Sequence, residues 1–382
     1  MLRRAIVLVS TLMCHGCVDS SGPMNGSSRI QWRLPLPAAD RYAWRGQPAS
    51  NGTASFWKTS SGVLAVDLET GRQLWSTTLP IASLNAPNLI SRAGIIAVAD
   101  WWGVSALDAS NGRLLWSKVD STLRHDTYLD ASDDLLYYLQ TRDLDTPSPY
   151  DAWVVAVELQ TGSERWRRAL FRDERYTIVP HGVLASNGAL YVVGSKSLNE
   201  SGSKKLAFVH AFDANDGTPR WQYSTQDEFH AASLNLTATA ELLLLADFFT
   251  PGYLALRRLD GSLAWRVDGT PGWVGPSYAP VVDGGIAFGA SGDRTAQSFR
   301  PESGAALWST RLPASARAFG LCGRFFLVEN QAVMLLERAT GKVVASLLGG
   351  ATDQDIPTSG FAVWKETAAI ATDQAIVGFS CR

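Results

Sequence analysis

Charged residues are scarce in this sequence and their signs are balanced: 18% of its 382 residues are Asp, Glu, Lys or Arg, and the formal net charge is −2. No run of basic residues is dense enough to follow a phosphate backbone, which excludes nucleic acid as a partner. The low charge content also argues against a coiled coil. No stretch reaches the roughly eighteen consecutive apolar residues of a membrane-spanning helix. The 33 Gly and 17 Pro instead indicate a folded body with many turns.

Cysteine is equally rare, and two of the four cysteines lie near the N-terminus. Residues 1–4 are basic, residues 5–13 are apolar, and Cys14 and Cys17 follow, which is the order of a bacterial export signal. A Cys preceded by Gly after a short apolar core predicts a lipoprotein signal over residues 1–17, with Cys17 as the lipidated residue. A plain cleaved signal, or a misplaced start, is the alternative. Residues 18–28 predict a flexible tether.

This signal predicts an exported protein of the periplasm or outer membrane, held by a lipid anchor. The two remaining cysteines, Cys322 and Cys381, then lie in an oxidising compartment. Both a disulfide between them and two separate buried thiols are open at this point.

Recognisable catalytic motifs are absent. The sequence contains no HExxH, no GxSxG and no Walker loop. We therefore assign no catalytic, cofactor-binding or metal-binding residue from motifs.

Tryptophan, in contrast, is abundant and periodic, with 14 copies in the chain. Six segments share one plan, in which an alternating apolar strand runs into a turn that closes on Gly, and Trp lies four residues beyond that Gly. The glycines are Gly71, Gly112, Gly162, Gly217, Gly261 and Gly304, and the tryptophans are Trp75, Trp116, Trp166, Trp221, Trp265 and Trp308. A seventh copy keeps Gly341 but has Ala345 in place of Trp. We expect the glycines to form hairpin turns and the tryptophans to dock each unit on its neighbour.

The spacing of these tryptophans, 41 to 55 residues, matches a four-stranded propeller blade. Residues 29–37 look like an outer strand with its own Trp32 but have no hairpin before them, and residues 361–380 supply inner strands without an outer one. The two ends complete each other. The sequence therefore predicts an all-β fold over residues 29–380, an eight-bladed β-propeller of four-stranded antiparallel blades whose ring is closed by terminal strands that share one blade.

The segment AVDLETGRQLW at residues 65–75 resembles the PQQ-like, quinoprotein-type β-propeller repeat that quinoprotein alcohol dehydrogenases share with BamB-like lipoproteins. The resemblance extends over residues 29–380. A dehydrogenase of this kind would bring PQQ, calcium, a catalytic Asp and a disulfide between adjacent cysteines. This sequence has no Cys-Cys dipeptide, and the blades use its whole length. We therefore expect no cofactor and no enzyme activity.

The BamB-like side of the resemblance implies a non-catalytic, monomeric scaffold for protein partners at the bacterial cell envelope, in outer-membrane protein assembly. The alternative is a ligand-binding or sensory propeller that uses the mouth of its central channel, and a quinone-dependent dehydrogenase is a third reading. A propeller fold by itself does not choose among them.

Three features are candidates for a site. His125, His181 and His230 lie at similar places in consecutive blades and are either a channel site for metal or proton transfer, or ordinary polar groups of a wet channel. Residues 141–152 and 195–205 lengthen two adjacent blades between their second and third strands, and are either a raised binding rim or neutral drift. Trp101, Trp102, Phe248, Phe249 and Trp273 are either an apolar surface patch or packing between blades.

Overall fold

The structure, a computed structural model, describes residues 24–25, 29–40, 46–80, 88–100, 102–120, 123–142, 152–170, 176–198, 206–225, 236–246, 252–267, 280–291, 294–348 and 355–382. These ranges contain 33 strands and one turn of 3-10 helix at Ala38–Asp40. No helix in the described ranges has the length and apolarity needed to cross a membrane.

The first two strands in the chain are β1 (Met24–Asn25) and β2 (Ile30–Pro35), and every later strand belongs to a blade of consecutive strands. Blade 1 contains β3 (Ala49–Ser50), β4 (Ala54–Lys58), β5 (Gly62–Asp67) and β6 (Gln73–Thr78). Blade 2 contains β7 (Asn88–Arg92), β8 (Ile95–Asp100), β9 (Gly103–Asp108) and β10 (Leu114–Val119). Blade 3 contains β11 (Leu123–Ala131), β12 (Leu135–Arg142), β13 (Ala152–Glu158) and β14 (Glu164–Ala169). Blade 4 contains β15 (Tyr176–Ser186), β16 (Ala189–Leu198), β17 (Leu206–Asp213) and β18 (Pro219–Ser224).

The second half of the chain repeats this order. Blade 5 contains β19 (Leu236–Ala238), β20 (Leu242–Ala246), β21 (Tyr253–Arg257) and β22 (Leu263–Val267). Blade 6 contains β23 (Val281–Asp283), β24 (Ile286–Ser291), β25 (Thr295–Phe299) and β26 (Ala306–Arg311). Blade 7 contains β27 (Ala318–Cys322), β28 (Phe325–Glu329), β29 (Val333–Glu337) and β30 (Val343–Leu347). Blade 8 contains β31 (Pro357–Trp364), β32 (Thr367–Thr372), β33 (Ala375–Ser380) and, as its outer strand, β2.

The antiparallel order gives the ring two different faces. The turns between the first and second strands, and between the third and fourth, lie on one face, which we call the turn face. The connections between the second and third strands, and from each blade to the next, lie on the other, which we call the loop face. The turn face is built of tight hairpins, whereas the loop face carries the longer connections.

The two ends of the chain close the ring in blade 8. Strand β2 pairs antiparallel with β33, in the register Trp32 to Gly378 and Leu34 to Ile376. This pairing confirms the predicted eight-bladed propeller with one blade shared by both termini. In addition, β1 pairs in parallel with β30, with Met24 opposite Ala345 and Asn25 opposite Ser346. Blade 7 therefore has a fifth strand at its outer edge.

The core consists of eight apolar layers, one between each pair of neighbouring blades. The middle strands are buried on both sides, as in β20, where all five residues from Leu242 to Ala246 are buried. This explains why these strands are continuous apolar runs rather than alternating ones. The outer strands, in contrast, alternate between half-buried and exposed positions, as β2 does.

The hairpin turns between third and fourth strands follow one plan. In blade 2, Asp108 Oδ1 accepts hydrogen bonds from the Ser110 N–H at 2.8 Å and the Ser110 hydroxyl, and these bonds lower the pKa of Asp108. The Gly112 N–H then donates to the Asp108 carbonyl at 2.8 Å, with Gly112 at φ +74. Glycine is favoured there because other residues adopt this left-handed conformation only with strain.

Candidate interaction surface

At each boundary where one blade supplies the predicted Trp and the next blade supplies the predicted Gly, the two residues are in contact. Each Trp indole Nε1 donates a hydrogen bond of 2.8 to 3.1 Å to a backbone carbonyl in the turn of the next blade. The pairs are Trp32 with Leu68, Trp75 with Ala109, Trp116 with Leu159, Trp166 with Ala214, Trp221 with Arg258, Trp265 with Pro301 and Trp308 with Arg338.

The turn glycines receive the same indole rings. A methyl group at any of them would lie 2.4 to 2.9 Å from ring atoms or neighbours of the docked Trp, closer than real contacts allow. The glycines are Gly71, Gly112, Gly162, Gly217, Gly261, Gly304 and Gly341. Each glycine therefore has two functions, because it adopts the left-handed turn and leaves room for the ring. The same contact between Trp and Gly therefore connects neighbouring blades at each of these boundaries.

The boundary between blades 7 and 8 is built differently. Here the sequence has Ala345 instead of Trp, and blade 8 has no turn between its third and fourth strands because these come from opposite ends of the chain. A Trp at this place would have no turn glycine on which to dock. Instead, Cys322 at the end of β27 is joined to Cys381 just after β33 by a disulfide. Cys17, the predicted lipidation residue, lies outside the described residues.

The lengthened blades form a raised edge on the loop face. Strands β11, β12, β15 and β16 have nine, eight, eleven and ten residues, whereas most strands of the other blades have five or six. The extra residues lengthen the hairpin of the first two strands in blade 3 and in blade 4. The strand pairing extends to Leu123 with Arg142 in blade 3 and to Tyr176 with Leu198 in blade 4. Strands β11 and β15 contact each other. We call the loop-face ends of these hairpins, residues 123–127, 139–142, 176–180 and 194–198, the raised rim.

Close packing holds the blade 4 half of the raised rim. Gly194 lies so near the Val179 carbonyl and the Phe208 ring that a methyl group there would approach them within 2.4 and 2.6 Å. His181 Nε2 and Ser195 Oγ are hydrogen-bonded at 2.9 Å across the hairpin. The Val179 side chain, in contrast, is 42% exposed. The rim thus presents an apolar side chain on a well-supported hairpin.

The predicted histidine site is only partly within the described structure. His125 lies in β11 opposite Gln140, whereas His181 occupies the bulge of β15 between Pro180 and Gly182. The two residues therefore occupy different register positions in their blades. His230 lies outside the described residues. Among the residues that the structure describes, no group of three His, Cys, Asp or Glu side chains could hold a metal ion. The channel site stays a prediction.

The other candidate features are also partly described. The loop residues 143–151 and 199–205, and four of the five aromatic residues (Trp101, Phe248, Phe249 and Trp273), lie outside the described residues. Trp102 lies on the loop face between β8 and β9 and is 40% exposed.

Sequence reasoning missed two titratable groups between blades 3 and 4. Burial raises the pKa of Asp130 to about 6, and its Oδ2 accepts a 2.7 Å hydrogen bond from the Ala185 N–H of the next blade. Burial also lowers the pKa of His210 to about 4, and its ring packs 5.3 Å from the Phe208 ring. His210 had little signal in the sequence, since its equivalents are apolar in blades 1, 3, 5 and 7 but polar in blades 2 and 6. Asp130 had none, because it lies in an ordinary innermost strand.

A family model described as "Outer membrane protein assembly factor BamB" matches this chain over residues 24–206, 150–270 and 252–381. The solved structure of BamB from Moraxella catarrhalis superposes with a TM-score of 0.55 and 14% identity, covering 92% of this chain and 97% of that one. The likeness to this structure shows the shared propeller fold.

Dehydrogenases are similar as well. A curated protein named polyvinylalcohol dehydrogenase, from Pseudomonas sp, is 24% identical over an alignment 366 residues long, which covers 75% of this chain and 57% of that protein. This chain therefore spans less than two thirds of its curated relative's length. The quinohemoprotein alcohol dehydrogenase from Comamonas testosteroni superposes with a TM-score of 0.66 and 12% identity, covering 92% of this chain and 76% of that one.

These dehydrogenases overturn one expectation. We predicted that the protein is not an enzyme, and that exclusion was wrong, because a curated relative and a similar solved structure are both dehydrogenases. The physical reason is that the repeated Trp and Gly residues specify the ring of blades and carry no information about the chemistry placed on it.

Proposed function

Because this chain belongs to the family of the outer membrane protein assembly factor BamB, we propose that it is a protein-interaction scaffold of the cell envelope, active in outer-membrane protein assembly, and that the raised rim binds its partner. The lipid anchor at Cys17 is part of this proposal. The observation that carries it is the pair of lengthened hairpins, β11–β12 and β15–β16, side by side on the loop face.

The rim has the properties of a docking surface on a rigid support. The blades beneath it are clamped by Trp116 against Gly162 and by Trp166 against Gly217, so that the two hairpins are fixed relative to each other. Little order is lost when a partner binds to such a preorganised surface. Val179 offers an exposed apolar side chain at its edge. Among the described loop-face connections some are short, as between β28 and β29 in blade 7.

The test is site-specific photocrosslinking in cells. A photoreactive residue replaces Val179 on the raised rim, and in a control strain it replaces Leu259, which is 91% exposed on the turn face. We expect a covalent complex with a component of outer-membrane protein assembly from position 179 and not from position 259. Equal capture at both positions, or capture of that component only at position 259, would contradict the proposal.

The dehydrogenase relative favours a second candidate, the oxidation of an alcohol. The resemblance to quinoprotein dehydrogenases would add pyrroloquinoline quinone as its cofactor. The residues that the structure describes do not fit that cofactor and its metal ion, since they include no group of three metal-ligating side chains, and the described disulfide joins cysteines 59 residues apart. We therefore derive no reaction step. Dye reduction by the purified protein, dependent on both the added quinone and an alcohol, would establish this activity.

A further inference from the structure

Five cationic side chains lie on the turn face around blade 7, four where it meets blade 8 and one, Arg338, against Asp283 and Phe288 of blade 6. They are Arg29, Arg324, Arg338, Lys365 and Arg382, which we call the closure seam. Backbone contacts place them together: the Gly323 N–H donates to the Lys365 carbonyl at 3.0 Å, and Arg338 Nη1 donates to the Gly323 carbonyl at 3.1 Å. The closure seam thus surrounds the Cys322–Cys381 disulfide.

Two of these cations stack on one aromatic ring. The guanidinium carbons of Arg29 and Arg324 lie 5.3 and 5.0 Å from the centre of the Phe325 ring. Arg29 also donates a hydrogen bond to the Arg382 carboxylate. A guanidinium held over a ring face keeps its charge and leaves N–H donors for other acceptors.

The seam carries more positive than negative charge. Arg338 pairs with Asp283, and Arg382 pairs with Glu366 at 2.9 Å. The C-terminal carboxylate adds one further negative charge. Glu337 and Lys342 lie in the adjacent turn of blade 7 and balance each other. Arg29 donates to the carboxylate of Arg382, whereas among the described residues Arg324 and Lys365 are in no ion pair. Asp67 and Glu69 of blade 1 line the same pocket as Trp364 and Lys365, and Arg72 lies near Asp67. Counting all of these groups leaves one positive charge.

An exposed tryptophan lies at the edge of the same area. The Trp364 side chain is 46% exposed, its six-membered ring lies against Gly52, and the Lys365 ammonium is 5.5 Å from the ring centre. Tryptophan and basic side chains together are typical of surfaces that contact the boundary between lipid headgroups and acyl chains, where the indole is partly in water and partly in lipid.

The N-terminal segment reaches the propeller at the same place. Strand β1 runs parallel to β30, from the turn face towards the loop face, so the chain enters β1 from the turn face. Met24, its first residue, is seven residues after Cys17. Seven residues span at most about 25 Å when extended. A lipid on Cys17 would therefore hold this side of the ring near the bilayer surface.

We propose that the closure seam docks on anionic phospholipid headgroups, with the turn face towards the bilayer and the raised rim pointing away from it. The tether argument rests on the lipid anchor proposed above, whereas the charges and Trp364 stand without it. One lipid-modified segment alone usually gives reversible binding, and a basic patch is the kind of second signal that makes anchoring stable. Docking of this kind would present the rim to a partner.

The test is sedimentation of the full chain carrying Cys17→Ser with vesicles of phosphatidylcholine, alone or with about one third phosphatidylglycerol. The neutral vesicles measure binding that does not depend on lipid charge. We expect the anionic vesicles to bind more protein, and added salt to weaken this extra binding. The double variant Arg324→Gln, Lys365→Gln should lower the partition coefficient on anionic vesicles by roughly 25-fold, about fivefold for each cation.

Matched controls separate the seam from overall charge. Arg294→Gln with Arg311→Gln removes the same charge from exposed arginines on the loop face of blade 6, and should leave binding within about twofold. Trp364→Ala should weaken binding, whereas Trp102→Ala, which removes a similarly exposed ring from the loop face, should not. The proposal is overturned if anionic and neutral vesicles bind equally, or if both double variants lose binding equally. No partner protein is present, so the result is independent of the crosslinking test.

Discussion

The indole ring of Trp116 lies against Gly162 of the next blade, and its Nε1 donates a 2.9 Å hydrogen bond to the Leu159 carbonyl three residues before that glycine. One residue of blade 2 thus contacts the turn of blade 3 by both packing and hydrogen bonding. The same arrangement recurs at seven boundaries and makes the ring stiff.

The glycine side of this contact can be tested against a matched glycine. Gly162 and Gly188 have nearly equal φ values of +72 and +70, but a methyl group would lie 2.7 Å from the Trp116 ring at Gly162 and would have no neighbour within 4 Å at Gly188. Gly188→Ala should lower the free energy of unfolding by about 1 kcal/mol through backbone strain. Gly162→Ala should lower it by about 3 kcal/mol, because steric overlap adds to the strain. Urea denaturation measures both, and equal losses would contradict this contact between Trp and Gly.

The tryptophan that closes the ring should contribute most. Trp116→Ala removes a ring from a packed boundary and should cost on the order of 3 to 5 kcal/mol of unfolding free energy. Trp32→Ala should cost more, since Trp32 packs on both Gly71 and Gly378 and belongs to β2, the strand that the N-terminus supplies to blade 8. If chemical denaturation shows that Trp32→Ala hardly changes the free energy of unfolding, the pairing of the two chain ends in blade 8 does not stabilise the ring.

The disulfide should stabilise the boundary that lacks a Trp. It closes a sequence separation of 59 residues, for which loop-closure entropy gives about 4 kcal/mol. The double variant Cys322→Ala, Cys381→Ala should therefore unfold at a lower urea concentration than the unaltered chain. A reducing agent should lower the stability of the unaltered chain to the same level and leave the double variant unchanged. If reduction destabilises both proteins alike, the effect does not come from this bond.

Acid should destabilise the protein through His210. Burial lowers the pKa of this ring to about 4, whereas a histidine in the unfolded chain titrates near 6.5. Below about pH 6.5 the unfolded chain binds a proton that the folded protein does not bind. The contribution of neutral His210 to the free energy of unfolding is therefore complete above about pH 6.5 and is lost as the pH falls towards 4. The loss relative to His210→Gln should be on the order of 3 kcal/mol.

Comparison of His210 and His210→Gln by denaturation at several pH values isolates this group. The comparison is needed because Asp130, with a pKa raised to about 6, acts in the opposite sense and loses its stabilising contribution as the pH rises from about 4 to 6. A difference between the two proteins that does not change between neutral and acidic pH would contradict the assignment.

Repeated features of this fold can be predicted from the sequence because each blade repeats the same physics. Gly112 and Trp116 are four residues apart, and the same spacing occurs in every copy that has a Trp, so the turn and the docked ring follow from any one of them. Ala345 breaks the pattern, and its reason emerges only from the topology, since blade 8 has no turn on which a Trp could dock.

Features that occur once are harder to predict. His181 falls in a bulge, and the sequence does not indicate whether the extra residue precedes or follows it. The length of β15 and β16 was equally hidden, because residues 195–198 look like a polar loop but pair as strand. The pKa of Asp130 is raised only because the neighbouring blade buries its side chain. These properties depend on neighbours far away in the chain.

The most direct test of the account is to alter the raised rim and ask whether the partner is lost. Val179→Arg places a charge on the exposed edge of β15, and Leu259→Arg places the same charge at a more exposed position on the turn face. Each variant is purified from membranes, and the co-purifying outer-membrane assembly component is quantified. We predict that Val179→Arg loses this component while Leu259→Arg retains it. Retention by Val179→Arg, with loss by Leu259→Arg, would contradict the placement of the partner on the loop face.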